Sequence, residues 1–286
     1  MVRQRVGLVT DSVSDLPSEV LSACGITVLP VYVMMNGKTY RDDGTLDRAW
    51  FYKQLEVGHP GPTTASPPPE EFLRTYRDLA RRGVEEIVAL FTASTVSSIY
   101  AHALLAAQDF HEVPVHVLDT LQVSTGVGWL VMEMAERLAE GQAVATAIDH
   151  VLALRSRVQV MGVVKSTEFL HRSGRVGWFK SQLASLLGIR PVIGFARGEA
   201  FLLKRVRTFG RGIEAVAAQV AQALPLRKLA ILHSGVDQAL IARLQAFVAQ
   251  YVDDLWCPII AVGPVFASHV GPGCLGVALV RDQVGV

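Results

Sequence analysis

The stretch Val6-Gly7-Leu8-Val9-Thr10-Asp11-Ser12-Val13-Ser14-Asp15-Leu16-Pro17 passes from an apolar run into a helix start within twelve residues. Val6 to Thr10 reads as a short buried strand. Asp15 is the expected cap of the helix after it, with Pro17 in the first turn and Gly25 just past the end. Outward from there the alternation continues. Ile26 to Met35 is a second apolar, β-branched run, and Leu46 to Val57 is an amphipathic helix. Glu70 to Arg82 is a helix ended by Gly83, followed by a strand (Glu86 to Phe91), a helix (Val96 to Phe110) and a strand (Pro114 to Leu118). Two helical stretches then reach about Arg155. Pro60 to Pro69, half of it proline, is expected to hold no regular structure. Such alternation predicts a mainly parallel sheet with helices on both faces.

The second half reads differently. Strands are expected at Gln159 to Val164, Arg190 to Phe195, Ala200 to Val206 and Lys228 to Leu232, and helices at Gly210 to Ala223 and Val236 to Tyr251. Arg197-Gly198-Glu199 has the composition of a hairpin turn, which points to a mixed or antiparallel sheet. The expected organisation is therefore α/β throughout. An N-terminal parallel-sheet domain would span residues 1–157, a C-terminal mixed-sheet domain residues 158–286, and a cleft would lie between them.

Composition narrows the functional classes. The chain has 286 residues, half of them hydrophobic and 19% charged, so burial can outweigh chain entropy and a folded chain is expected. A formal net charge of +1 gives no global attraction to nucleic acid or acidic membranes. Three cysteines (Cys24, Cys257, Cys274) form no CxxC pair or even framework, so a reduced, cytoplasmic setting is expected. The apolar run after the basic N-terminus is too short for a signal-peptide core. Leu255 to Val280 is uncharged and long enough to span a bilayer, but Pro258, Pro264, Pro272 and several glycines interrupt it. Short buried strands joined by turns fit it better than stable membrane insertion.

Ligands of open parallel sheets bind beyond the carboxyl ends of the strands. Here those ends read Thr10-Asp11-Ser12, Thr92-Ala93-Ser94 and Asp119-Thr120, with the Pro62-Thr63-Thr64 loop nearby. The rim is rich in hydroxyls and poor in acids. Gly271-Pro272-Gly273-Cys274-Leu275-Gly276 has the literal dinucleotide spacing, but it follows no first strand and opens no helix. No GxxxxGK[ST] stretch exists, so the expected cofactor complement is none. His102, His111 and His116 lack a zinc-ligand spacing, and Lys204-Arg205-Val206-Arg207 with Arg211 lacks the interleaved aromatics of a nucleic-acid surface. Ser94, Asp119 and His269 could form a hydrolytic triad, although the G-x-S-x-G elbow is missing around Ser94. Taken alone, the residues describe a binding protein and name no ligand.

Read in order, these pieces resemble the DegV family of fatty-acid-binding proteins. Thr10 to Pro17 matches that family's opening motif, and Pro62-Thr63-Thr64-Ala65-Ser66-Pro67 is similar to its PTTSQPS loop. Leu118-Asp119-Thr120 with Ser124, Ser173-Gly174-Arg175-Val176, Val206-Arg207-Thr208 and the Gly263 to Gly273 segment follow in the right order. After Ser94 the family's SSxLSGTYQSA is replaced by Ala93-Ser94-Thr95-Val96-Ser97-Ser98-Ile99-Tyr100-Ala101-His102-Ala103, where Gly and Thr have become Ser98 and Ile99. In the PTTSQPS loop the Gln is also replaced. The resemblance implies a two-domain fold with a long-chain fatty acid of the palmitate or oleate class buried between the halves. It carries over Thr63 and Ser94 as hydroxyl donors to the carboxylate, Thr64 beside them, and Arg175 and His269 in a network around the head group. It further implies a non-enzyme that presents the acid to a separate, ATP-using fatty-acid kinase.

Overall fold

A computed structural model describes residues 6–57, 61–175, 188–252 and 255–282. The first sheet is built on β1 (Val6–Asp11), flanked by β2 (Ile26–Leu29) and β6 (Glu86–Phe91), with β7 (Val115–Asp119) at the edge. All its pairings are parallel, and Leu8, Val9, Ile87 and Val88 are fully buried, as both faces of a covered parallel sheet require. Of the helices α1 (Ser18–Ala23), α2 (Arg48–Val57), α3 (Pro69–Arg81), α4 (Ile99–Gln108), α5 (Thr125–Ala139) and α6 (Val144–Leu154), α1, α3, α4 and α5 pack on this sheet, α6 lies against α5, and α2 packs on the helix Pro264–Val270 of the second half.

Three local expectations give way. Ile26 to Met35 is two strands in two sheets, because Pro30 offers no N–H to a ladder and the chain turns there. Its second part, β3 (Tyr32–Met35), pairs antiparallel with β4 (Lys38–Arg41) across Asn36-Gly37, both at positive φ as a tight hairpin turn demands. The proline-rich segment is not wholly irregular either: β5 (Thr63–Ala65) fits between its prolines and pairs with β3. Asp15 caps no helix. It sits in the left-handed region (φ 52°) after a short 3-10 turn capped by Asp11, and Pro17 precedes α1.

The second sheet runs β10-β9-β8-β13-β11-β12, antiparallel except for the last pair. Its strands are β8 (Val158–Val163), β9 (Arg190–Ala196), β10 (Glu199–Val206), β11 (Leu226–His233), β12 (Ile259–Ala261) and β13 (Leu275–Arg281). Arg197-Gly198, at φ 53° and 80°, makes the expected β9–β10 hairpin. One face of this sheet packs on α8 (Phe209–Gln222) and α9 (Gln238–Ala249) through Ile213, Val216, Leu244 and Val277. The other face joins the first sheet's core through α5. Trp129 on α5, fully buried, donates its indole N–H to the Ala278 carbonyl at 3.2 Å.

The Leu255 to Val280 segment contains a helix that its sequence does not advertise, α10 (Pro264–Val270), between β12 and β13. Pro264 at the first helical position and Gly271 at φ 81° are its start and stop. Among the described residues no helix is long and apolar enough to cross a membrane.

Candidate functional site

Between the inner face of the mixed sheet, α10 and the start of α4 lies a cavity of about 390 Å³. Its walls are mostly apolar, with Val160 and Met161 from β8, Ile193 from β9, Leu232 from β11, and Val265 and Phe266 from α10. At Gly276 in this floor, an added Cβ would fall 2.0 Å from the Met161 carbonyl oxygen, so only glycine lets β13 and β8 pair there.

Polar groups gather on one side. Thr64 reaches the cavity from β5, and its Oγ1 lies 3.2 Å from His269 Nε2 on α10. Arg175, after α7 (Glu168–Ser173), donates through Nη1 to the Ser173 carbonyl at 2.7 Å and through Nε to the Val96 carbonyl at 3.5 Å. Burial, aided by the Arg175 charge, pushes His269 down to about 4, so its imidazole is neutral near pH 7. Ser97 and Ser98 line the same region, and His102 donates Nδ1–H to the Pro67 carbonyl at 2.7 Å. Ser98 Oγ lies 2.8 Å from Ser66 Oγ. These two serines occupy positions where the chain departs from the family's motifs, so the departures meet in one hydrogen bond.

Of the five residues expected at the site, Thr64, Arg175 and His269 line the cavity; Thr63 and Ser94 do not. Thr63 precedes Thr64 on β5, so the pleat turns it to the opposite, exposed face. Ser94 is exposed, and its hydroxyl is donated to Asp119 Oδ2 at 2.6 Å. Asp119 also accepts from the Ser94 and Leu121 amides at 3.3 and 2.9 Å, an arrangement that fixes the loop after β7. Ser97, three residues on, is a hydroxyl residue that does line the cavity. A triad needs the histidine between serine and carboxylate. Here the serine meets the carboxylate directly, and among the described residues His269 bonds to neither. The hydrolytic arrangement is not assembled. Val176, in the Ser-Gly-Arg motif, lies outside the described residues.

Among the described residues no carboxylate lines the cavity, as the acid-poor rim of the sequence leads one to expect. Asp11, Asp15 and Asp42 are buried outside it, Asp15 and Asp42 beside a separate pocket that Ser12 and Arg48 also line. Asp11 accepts from the Thr92 amide (2.8 Å), Thr92 Oγ1 and the Val13 amide (both 2.9 Å), yet burial raises it to about 6. Asp15 accepts from the Gly263 amide at 2.6 Å and from Ser124 Oγ at 2.5 Å, and burial raises it too. Asp42, pushed up to about 7 by burial and by the nearby Asp15, completes the group. Asp15 and Asp42 oxygens each lie 3.0 Å from one point, where a Cβ on Gly263 would be. Among the described residues no three His, Cys, Asp or Glu side chains form a metal cage. His116 is engaged by Glu86 at 2.7 Å.

The fold and cavity together define an α/β protein in which a parallel and a mixed sheet close around an internal apolar site with a polar mouth. The DegV family matches residues 5–282, and the chain belongs to that family. It is 30% identical over 282 residues to a DegV domain-containing protein from Deinococcus radiodurans, covering 96% of this chain and 98% of that one. A Streptomyces coelicolor relative is 29% identical with the same coverage. Among solved structures, a DegV family protein from Thermus thermophilus, described as binding fatty acid, superposes with a TM-score of 0.87 at 32% identity, covering 97% of this chain and all of that one. A stearic-acid-binding protein from Eubacterium ventriosum, at 23% identity and a TM-score of 0.88 over 97% of this chain and 98% of that one, shares the fold.

Proposed function

We propose that the protein binds one long-chain fatty acid of the palmitate or oleate class, tail in the cavity and carboxylate at the Thr64–His269–Arg175 mouth. The observation that carries this reading is the conjunction of an apolar interior with a neutral imidazole, hydroxyls and one guanidinium at a single edge. Burying ~14 methylenes at ~0.8 kcal/mol each supplies on the order of 11 kcal/mol before ordering costs. The mouth then need only satisfy the carboxylate, which is costly to bury unpaired. The fatty-acid description of the Thermus thermophilus relative supports the same ligand class. Thr64, His269 and Arg175 are the direct partners in this reading, with Ser97 as a further hydroxyl on the cavity wall, while Ser94 holds the loop after β7 and Thr63 stays on the exposed face of β5.

The two halves, residues 1–157 and 158–286, act as two jaws on the ligand, and the protein is a carrier with no chemistry of its own. The sequence contains no Walker phosphate loop, so activation of the acid to an acyl-phosphate falls to a separate ATP-using fatty-acid kinase that meets the exposed Arg175 edge. Denaturing extraction and mass spectrometry of protein purified from cells tests the first part. An acid of ~16 to 18 carbons at near-stoichiometric yield is expected for a buried apolar ligand of this kind. An empty protein that also fails to take up added palmitate or oleate would refute it.

A further inference from the structure

The cavity runs across the mixed sheet, and its two ends differ. Thr95 donates its hydroxyl to the Gly198 carbonyl in the β9–β10 turn at 2.5 Å, and Arg175 meets the Val96 carbonyl beside it. The polar mouth therefore stands over the β9 side. From β9 the strand order passes through β8 and β13 to β11, three steps of roughly 4.8 Å, or about 14 Å across the floor. There the wall contains His233, at the end of β11, with Cys274 on the segment facing it.

An end that receives only a methyl group needs neither side chain. His233 Nδ1 accepts from the Gly235 amide at 3.3 Å, which leaves the ring proton on Nε2. Among the described residues nothing accepts from Nε2. Burial and the nearby Arg48 charge lower the pKa of His233, which keeps the ring neutral and the Nε2–H a fixed donor at neutral pH. The Cys274 thiol, raised to about 12 by burial, stays protonated.

We infer that the β11 end of the cavity takes a hydrogen-bond acceptor carried by the acyl chain, with His233 as its donor, so that hydroxylated or oxo long-chain acids are ligands of this protein. The inference rests on the acyl-binding reading above and adds the chemistry of the tail. A hydroxyl carried into an all-apolar end is left unpaired, and binding weakens roughly tenfold or more. His233 removes that penalty for a chain of matching length.

The test measures affinities of hexadecanoate, octadecanoate, 16-hydroxyhexadecanoate and 12-hydroxyoctadecanoate for the wild-type protein and for His233→Phe and His233→Gln. At least one hydroxy acid should bind wild type within ~3-fold of its parent, a gap too small for an unpaired buried hydroxyl. His233→Phe should weaken that acid ~10-fold while leaving the parent unchanged, and His233→Gln, which keeps a donor, should restore most of the loss. Tight binding of both parents, with each hydroxy acid ~10-fold weaker in wild type, overturns the inference and leaves acyl binding intact. The same holds if His233→Phe weakens parent and hydroxy acid equally. If neither parent binds wild type, the acyl-binding reading itself fails and takes this inference with it.

Discussion

His269 Nε2 and Thr64 Oγ1 stand 3.2 Å apart although 205 residues separate them in the chain. The contact ties α10 of the second half to β5 of the first at the mouth of the cavity. A neutral imidazole beside a hydroxyl can donate to a carboxylate without adding charge, and Arg175 supplies the charge. Removing one such donor from a charged acceptor costs about 1.5–3 kcal/mol. Thr64→Ala and His269→Ala should each weaken fatty-acid binding by roughly ten- to a hundredfold in titration calorimetry. Binding unchanged in both variants would remove these residues from the head-group site.

Ser94 and Ser97 should separate cleanly. Ser94→Ala deletes the hydroxyl bond to Asp119, which is exposed, so a loss of about 1 kcal/mol in denaturant unfolding is expected with fatty-acid affinity within about twofold of wild type. Ser97→Ala should weaken binding; because Ser97 Oγ also accepts from the Ile99 amide at the start of α4 at 3.3 Å, it too should lose about 1 kcal/mol of stability, so the affinities separate the two serines. A fluorophosphonate probe should not label Ser94, because its hydroxyl meets the weakly basic Asp119 carboxylate directly and no histidine stands between them. The reverse pattern of binding losses, or labelling at Ser94, would restore Ser94 to the site.

How much of this was legible in sequence depends on distance along the chain. The strand–helix alternation and the Arg197-Gly198 hairpin follow from local periodicity and turn chemistry, and both can be read directly. The helix α10 was missed because it spans only seven residues and Val265, Phe266 and Ala267 open it as an apolar run; its Pro264 and Gly271 were the available signals, and they read equally well as turn residues. Thr63 and Thr64 are neighbours, and only the pairing of β5 with β3 decides which one faces inward. Ser94 looked right by motif position, but its role depends on Asp119, 25 residues away. Asp15 meets Gly263 across 248 residues, and no local pattern announces a contact of that span.

Glu133 on α5 is fully buried and faces Arg137 (3.1 Å), His150 (2.8 Å) and Arg227 (2.8 Å), drawing α5, α6 and β11 together. Breaking a buried ion pair by removing one partner costs about 3–5 kcal/mol, and the partial exposure of the two arginines brings the expectation to the low end. Glu133→Ala should therefore lose about 3 kcal/mol in urea unfolding with an unchanged m-value. A loss below ~1 kcal/mol would make the cluster a surface-type ion pair.

Asp42 gives the molecule a pH dependence of definite sign. One of its oxygens is buried without a partner, and Asp15 lies within reach on the other side of Gly263. The carboxyl therefore titrates near 7 in the folded protein against 3.8 in its ordinary state, and Asp11 near 6. Between those values the folded state holds more protons than the unfolded one, so stability falls as pH rises. The contribution is fully present below about 4 and is lost as the pH passes through about 7 for Asp42 and about 6 for Asp11. His269 works the other way: its pKa is depressed from 6.5 to about 4, so its contribution is present above 6.5 and lost on acidification. Above pH 6.5 only the carboxyls still change, and there Asp42→Asn, which never ionises, should flatten the decline. Its melting temperature relative to wild type should rise between pH 6 and pH 8. The test is a thermal-melt series over that range. A difference between variant and wild type that stays constant with pH would mean that Asp42 is already ionised in the folded protein and that Arg48 compensates its charge.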